Sequence, residues 1–384
     1  MLDISRHFRD KDFILKQIEA MAEVRLNRLH LHLTDDAGYL SQEDAREIVA
    51  YAAKRNITVI PEIEMPGHSA EVLAAYPELS CLSPDGGQAP NRSDLCPGNE
   101  LTFTFMETVL REIMDIFPSE YIHAGGDEAG KRNWPDCPRC KARMAEEGLG
   151  SPEELQSYLI TRIERFLNEN GRKLLGWDEI LEGGLAPNAA VMSWRGTEGG
   201  IKAASMGHDV VMTPGAWCYL DKYQDAQFKE PEAIGGYLPL EKVYAYDPLD
   251  GIPEEARAHV LGMQGNLWHE FIPEPWHTEY MLWPRALAIA ETGWSPASVK
   301  DWSRFHERAL RYIEYLNEKG YRSFDLKNEF GERKASLAPP PASCRRKESF
   351  IRTAMAQVIP GGRYVRYHAT RSYAWLFVDE IVVN

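Results

Sequence analysis

An α/β fold, a (β/α)8 TIM barrel with a short C-terminal β-rich tail, is predicted by three observations on the 384-residue sequence. Short β-branched or apolar runs alternate with amphipathic stretches of helical period, the pattern of parallel βα units. Eight such runs fall within the first 270 or so residues, the number that a closed barrel needs. No internal repeat or low-complexity tract interrupts them. A doubly wound sheet is the structural alternative, but the barrel fits the count of units better.

In chain order, the strand candidates are residues 2–4, 28–33, 58–63, 121–124, 173–176, 190–193, 209–212 and 261–266. The helical candidates between them are 11–24, 42–54, 103–116, 153–170, 197–206 and 280–291, with a final helix near 302–319. Several carry end signals: Ser41 stands as an N-cap three residues before Asp44, Ser151-Pro152 opens a helix and Gly171 closes it. Residues 1–322 are assigned to the barrel and 323–346 to a linker, because the run ASLAPPPASCRR contains consecutive prolines that favour an extended chain. Residues 347–384 form a β-rich tail, alternating at 363–368 and β-rich at 375–383. A tail of about 40 residues cannot make a sandwich, so it either packs on the barrel or is a remnant of a larger β module.

Composition narrows the functional classes. Hydrophobic residues at 44% and charged residues at 26% are ordinary globular values, which exclude disorder, collagen and coiled coil. No apolar run reaches the roughly 18 residues that a membrane span needs. The balance of 43 basic and 58 acidic residues gives a net charge of -15, a field that repels phosphate backbones and anionic lipid, so no nucleic-acid partner is expected. Ten Trp and 17 Tyr suit the apolar faces of sugar rings as well as they suit cores. The six cysteines are too sparse for a disulfide scaffold. Cys81 and Cys96 flank a Gly/Pro-rich loop, Cys137 and Cys140 form a CxxC, and Cys218 and Cys344 stand alone. A tetrahedral metal site wants two more ligands near the CxxC, so no metal is expected and a local disulfide or free thiols are.

Chemistry in such a barrel occurs at the carboxyl ends of the strands. Each predicted strand runs into polar or aromatic residues. They are Ser5-Arg6-His7, then Thr34-Asp35-Asp36, then Glu62 through Glu64 to His68, and Gly125-Gly126-Asp127-Glu128 after the fourth strand. Trp177-Asp178-Glu179 and Trp194-Arg195 follow the next two strands, Tyr219 and Asp221 lie beyond the seventh, and Trp268-His269-Glu270 beyond the eighth. Turns favour polar residues anyway, but eight coincident ends carrying Arg, carboxylate, His or Trp exceed what turn chemistry requires. An anion- or metal-binding role for the carboxylates is the alternative.

The sharpest local feature is His123-Ala124-Gly125-Gly126-Asp127-Glu128, in which two glycines deliver adjacent carboxylates into the mouth. Charges so close separate in pKa, leaving one acid and one anionic stabiliser. A conventional retaining glycosidase needs its carboxyls about 5 Å apart on opposite sides of the bond, and an inverting one needs them farther apart. Neighbouring residues, with Cα atoms about 3.8 Å apart, lie on one side. The pair suits a mechanism in which the substrate supplies the nucleophile.

The motifs LHLHLTDD, PEIEMPGHS, HAGGDE, GWDEI, MSWRG, YLD and GNLWHE, in that order over residues 1–321, resemble glycoside hydrolase family 20, the β-N-acetylhexosaminidases. The resemblance implies hydrolysis of terminal, non-reducing β-linked GlcNAc or GalNAc with retention, no metal or organic cofactor, and a secreted or periplasmic home. It assigns Glu128 as general acid and base. Asp127 becomes the residue that holds the 2-acetamido N–H of an oxazolinium-like intermediate, and Tyr219 the hydroxyl on the acetamido oxygen. Trp177, Trp194 and Trp268 match the aromatic walls, and Arg6 and Glu270 the groups that grip outer hydroxyls. Asp35 and His68 match a pair that orients Glu128, with Glu64 and Asp221 as supporting or hydroxyl contacts.

Bland readings accompany these. Trp283, Trp294 and Trp302 are expected in the core, His30 and His32 as barrel lining, Asp178 and Glu179 as caps of the next helix, and His123 as support behind the motif. The chain also departs from the family pattern. It starts at strand one, where family members usually carry an α/β domain ahead of the barrel. Asp35 to Leu40 runs almost directly into Ser41 where relatives carry a long loop, and the tail resembles the closing strands of a galactose-binding-like β-sandwich without its middle. An amino-sugar-binding protein without turnover, or a disaccharide-releasing glycosidase, remain the alternatives to an exo-acting enzyme.

Overall fold

Eight runs of apolar residues become eight strands: β1 (Leu2–Asp3), β2 (Arg28–His32), β3 (Thr58–Met65), β4 (Tyr121–Gly125), β5 (Lys173–Trp177), β6 (Ala190–Ser193), β7 (Val210–Met212) and β8 (Val260–Met263). They form one parallel sheet in chain order in this computed structural model, which describes residues 1–35, 39–90 and 93–331. The sheet curls until Leu2 pairs in parallel with Leu267, just past β8, with Asp3 N–H donating to the Leu267 carbonyl at 3.2 Å. The fold is therefore the expected (β/α)8 barrel. The linker from residue 332 onward and the whole β-rich tail lie outside the described residues.

Parallel neighbours need crossovers, and α-helices supply all but the one between β5 and β6, which holds only a 3-10 turn at Asp178–Leu181. The helices are α1 (Lys11–Glu23), α2 (Gln42–Ala53), α3 (Ala70–Ala75), α4 (Glu100–Ile116), α5 (Pro138–Glu147), α6 (Pro152–Glu169), α7 (Glu198–Ser205), α8 (Leu240–Ala245), α9 (Pro275–Leu282), α10 (Arg285–Trp294) and α11 (Trp302–Glu318). The N-caps act as the sequence implies: Ser41 Oγ accepts Asp44 N–H at 3.0 Å and Ser151 Oγ accepts Glu154 N–H at 3.2 Å. Helix α6 presents Leu155, Leu159, Ile160, Ile163 and Leu167 to the sheet, a spacing of three and four residues that makes one apolar stripe.

Four expectations change. The single helix expected at 280–291 is two, α9 and α10, because Pro284 has no N–H to continue the ladder. The eighth strand ends at Met263, and Asn266 instead pairs with Tyr219 beyond the ends of β7 and β8. Trp294, expected in the core, is 60% exposed, its indole N–H reaching the Arg25 carbonyl at 2.8 Å. Phe324 and Leu326, in the stretch assigned to the linker, are buried in the main core.

Two features of the frame set up the mouth. Register shifts between Glu62 and Met65 where β3 meets β4, and such an irregularity re-aims side chains. Arg285, fully buried on α10, donates to the carbonyls of Leu220 at 2.6 Å, Lys222 at 2.8 Å, Leu238 at 3.0 Å and Met281 at 2.9 Å. It fixes the chain on both sides of Asp221. Replacing Arg285 with Met strands those buried carbonyls, and we predict a loss of about 3 kcal/mol or more in urea-unfolding stability. A loss below about 1 kcal/mol would show that water or neighbours take over the guanidinium's role.

Candidate active site

At the carboxyl ends of the strands the interior is a chain of charges built on Glu62 of β3. This carboxylate is fully buried. Its Oε1 lies 2.7 Å from the Trp177 indole nitrogen and 2.9 Å from His123 Nδ1, and its Oε2 lies 2.7 Å from His32 Nδ1 and 3.1 Å from His30 Nε2. Burial alone would raise its pKa, but His123, His30 and His32 outweigh burial and hold it well below the ordinary carboxylate range. Burial lowers His30 to about 4, so that ring is neutral. Burial works against His32 as well, yet the charge of Glu62 and the bond to Asp35 raise it to about 10.

His32 passes this order outward. Its Nε2 lies 2.8 Å from Asp35 Oδ2, and the same oxygen takes Arg6 Nη2 at 2.7 Å. Asp35 Oδ1 takes His68 Nδ1 at 2.9 Å, and the other ring nitrogen of His68 lies 3.5 Å from both Asp127 Oδ2 and Glu128 Oε2. Burial lowers His68, but the bond to Asp35 and the charge of Asp127 raise it to about 9. Asp35, opposed by burial but bonded to His32 and His68 and facing Arg6, is held below the usual range. Asp3 completes the frame from β1, accepting Arg6 Nη1 at 3.2 Å and the His269 N–H at 3.1 Å.

The two glycines of β4 and its exit are dictated by space. Gly125 has φ +65, and a Cβ there would lie 1.7 Å from Glu64 Oε2. Gly126 has φ +100, and its Cβ would meet Ile180 Cγ2 at 2.5 Å. The turn sets Asp127, 8% exposed, beside Glu64, while the Glu128 side chain is 61% exposed in the mouth. Burial first, then the charges of Asp127 and Glu62, push Glu64 well above the ordinary range, so it keeps its proton at neutrality. Burial and Glu62 also raise Asp127, against the opposing pull of His68.

Aromatic rings wall the far side. Trp177 and Trp268 are buried with centroids 5.9 Å apart, Arg6 lies over Trp268 at 5.0 Å, and Trp194 stacks on Tyr219 at 5.8 Å. Burial raises Asp221 to about 7, with the charge of Glu270 adding to it, and neither Asp221 oxygen has a hydrogen-bond partner. Glu270 is exposed and contributes to the field on Arg6. The structure thus gathers Arg6, Asp35, Glu64, His68, Asp127, Glu128, Trp177, Trp194, Tyr219, Asp221, Trp268 and Glu270 around one mouth.

Asp178 and Glu179 do not cap a helix as expected. They sit in a single 3-10 turn and reach the exit of β6. Asp178 accepts the Trp194 N–H at 3.1 Å and Arg195 Nε at 2.6 Å, and Glu179 accepts the Trp194 indole N–H at 2.9 Å. Burial raises Glu179 to about 7. The sequence places these two residues and Glu62 at strand ends but gives the pair only a capping role and Glu62 none. Of the two states expected for the cysteines, a local disulfide or free thiols, the structure has free thiols at Cys81, Cys96, Cys137 and Cys140, which stand together in one group of four.

The family model of the glycosyl hydrolase family 20 catalytic domain matches residues 1–40 and 36–297, the two pieces meeting in the connection between β2 and α2. The chain is 45% identical over 342 residues to a beta-hexosaminidase of Porphyromonas gingivalis, covering 80% of this chain and 44% of that protein. It is 34% identical over 339 residues to a beta-hexosaminidase of Vibrio furnissii, covering 76% and 56%. The chain therefore spans about half the length of these relatives. The structure of an exo beta-N-acetylglucosaminidase from Vibrio harveyi, solved with N-acetylglucosamine, superposes with a TM-score of 0.77 at 30% identity, covering 85% of this chain and 58% of that one.

The raised histidines fix a pH dependence. A group raised on folding contributes stability that is complete below its unfolded value of about 6.5 and is lost as pH rises through the folded one. For His68 that loss is centred near pH 9, and for His32 near pH 10. NMR of the imidazole protons should show His68 charged through neutrality, and Asp35→Asn should bring its midpoint down by removing the bonded anion. A wild-type His68 midpoint at or below about 6.5 contradicts the charge chain.

Proposed function

The chain belongs to glycosyl hydrolase family 20, and from that premise we propose that it is an exo-acting, retaining β-N-acetylhexosaminidase working by substrate-assisted catalysis. The observation that carries the reading is the neighbouring pair Asp127 and Glu128, both 3.5 Å from one His68 nitrogen. Carboxyls on one side of a scissile bond cannot act as acid and nucleophile across it, because that division needs them about 5 Å apart and facing. The 2-acetamido oxygen takes the nucleophile's place, and as an attached group it brings the proximity advantage of an intramolecular reaction.

In the first step the acetamido oxygen bonds to C1 while the C1–O bond to the leaving group breaks. Glu128 gives its proton to the departing oxygen. Positive charge develops on the ring formed, and Asp127, as an anion accepting the acetamido N–H, stabilises it in a setting from which water is largely excluded. The Tyr219 hydroxyl donates to the acetamido oxygen and keeps it under C1. In the second step Glu128, now a carboxylate, takes a proton from water as the water oxygen bonds to C1 and the bond between C1 and the acetamido oxygen breaks. Two displacements on opposite faces return the starting configuration.

The surrounding residues divide the remaining work. His68, tied to Asp35, presents positive charge to both carboxylates and holds Glu128 toward the leaving oxygen. Glu64, neutral beside Asp127, leaves a single negative charge there. Trp177, Trp194 and Trp268 enclose the N-acetyl group and the sugar face. Arg6, Asp221 and Glu270 hold the outer hydroxyls, the guanidinium suited to neighbouring oxygens.

Release of 4-nitrophenol from its β-GlcNAc glycoside tests the reading. Turnover is expected in the wild type, with a loss of roughly 10²- to 10⁴-fold in Glu128→Gln, the span that a general acid contributes. Asp127→Asn should cost more with a 2-acetamido substrate than with a 2-trifluoroacetamido one, whose carbonyl is a poor nucleophile. Equal losses would remove the substrate-assisted role. A folded wild type that binds a thiazoline mimic without turnover would instead mark an amino-sugar-binding protein.

A further inference from the structure

Four cysteines from two loops meet in a small buried cluster outside the barrel mouth. Cys81 and Cys96 belong to the long connection after β3, and Cys137 and Cys140 to the connection after β4. Their sulfurs all lie within 4.8 Å of one another, with Cys96–Cys140 at 3.6 Å, Cys81–Cys140 at 3.7 Å and Cys96–Cys137 at 3.8 Å. All four residues are at most 1% exposed. A disulfide needs its sulfurs at about 2.05 Å, so none of these pairs is bonded. A tetrahedral ion with metal–sulfur bonds of about 2.3 Å sets its ligands about 3.8 Å apart, which is the spacing seen here.

We propose that Cys81, Cys96, Cys137 and Cys140 form a structural zinc site that fastens the connection after β3 to the connection after β4. Four thiolates without a carboxylate or imidazole are a soft donor set, suited to zinc. Full burial and four protein ligands leave no open position for substrate, which makes the site structural. The spacing has room for one ion between the sulfurs and none for an iron–sulfur cluster.

The backbone is built around the ligands. Cys137 is the N-cap of α5 and Cys140 lies in its first turn, so the partial positive charge of the helix start favours thiolates there. The Leu82 N–H points at Cys137 Sγ at 3.4 Å. A Cβ at Gly98 would lie 2.2 Å from the Arg139 carbonyl carbon and 2.3 Å from the Cys140 nitrogen, so only glycine lets the turn after Cys96 approach the CxxC. Trp134 packs into the same cluster and donates its indole N–H to the Leu95 carbonyl at 3.2 Å.

The site stands behind the catalytic loop. Asp94, two residues before Cys96, accepts the N–H groups of Gly130 at 3.2 Å and Lys131 at 2.9 Å, just past Glu128. Leu95 N–H donates to the Pro66 carbonyl at 2.8 Å and Ser69 N–H to the Ser93 carbonyl at 3.0 Å, on either side of His68. The zinc assignment stands on the cysteines alone and does not depend on the proposed activity.

The test is metal analysis of the full chain, expressed with zinc and purified without chelators or metal-affinity steps, together with its intact mass and thiol titration. One zinc per chain is expected, retained through EDTA dialysis, with cobalt substitution giving the absorption of a tetrahedral thiolate site. Cys140→Ser should lose the ion and lower the Tm, whereas Cys218→Ser, at a buried cysteine outside the cluster, should keep the ion. Iron in place of zinc, a native mass four hydrogens lighter from two disulfides, or metal-free protein in which all six cysteines titrate as thiols would each overturn the proposal. So would zinc that EDTA strips without lowering the Tm. The wild-type readings decide the matter even if Cys140→Ser fails to fold.

Discussion

A single buried carboxylate, Glu62, constrains the whole mouth. Moving an anion into a dry barrel costs several kcal/mol even after relaxation, unless donors satisfy it. Here each oxygen has two nitrogen neighbours, from β2, β4 and β5, so one side chain ties three other strands together. The order of charge follows. Glu62 is negative, His32 positive, Asp35 negative, Arg6 and His68 positive, and Asp127 and Glu128 lie beyond them. Each member is stabilised by the opposite sign on either side. Removing one leaves a buried neighbour unpaired, which is worse than never having built the pair.

The same logic separates two carboxyls that space alone would make equivalent. Glu64 and Asp127 face one another where β3 shifts register and Gly125 has no side chain. They cannot both ionise at close range in a buried setting. Glu64 is the more deeply buried of the two and also faces the charges of Glu62 and Asp35, while Asp127 has His68 at 3.5 Å, so the proton settles on Glu64. The asymmetry is geometric in origin and is set by depth and by the reach of a histidine from the next turn of chain.

The barrel was legible because apolar runs and their polar followers are local signals; Arg6, Asp35, His68, Asp127 and Glu128, each singled out at a strand end, meet in one network, while Asp36 lies outside the described residues. What was illegible depends on contacts between distant segments. Glu62 reads as one of the polar residues at the end of the third strand and His32 as barrel lining, but nothing local shows that their side chains meet. Glu179 reads as a helix cap because a short acidic pair after a strand usually is one, and only the fold shows it holding the Trp194 indole. Helix α5 did carry marks, with Pro138 at its start and Gly148 in the left-handed region at its end, but a ten-residue stretch in which half the residues are charged hid them. The grouping of four cysteines was illegible for a spatial reason. Cys96 and Cys137 are 41 residues apart, and a pair that is local in sequence is not the pair that meets in space.

Backbone strain explains why the mouth is held from two sides. Asp35, His68 and Glu128 have φ of 91, 48 and 46, in the left-handed region that residues with a side chain avoid. Each such residue costs on the order of 1–3 kcal/mol and persists only where its surroundings over-determine it. From inside the barrel, the charge chain grips all three side chains. From outside, the turn at Asp94 and the cysteine cluster fix the chain next to His68 and next to Glu128. Neither grip alone restrains both ends of a loop. Side chains held only from within would let the backbone relax toward ordinary angles and swing Glu128 away from His68. A backbone held only from outside would leave the carboxylates without their charge order. The strained turn after β4 therefore requires both, and the two loops carry their cysteines where the backbone most needs an external tie.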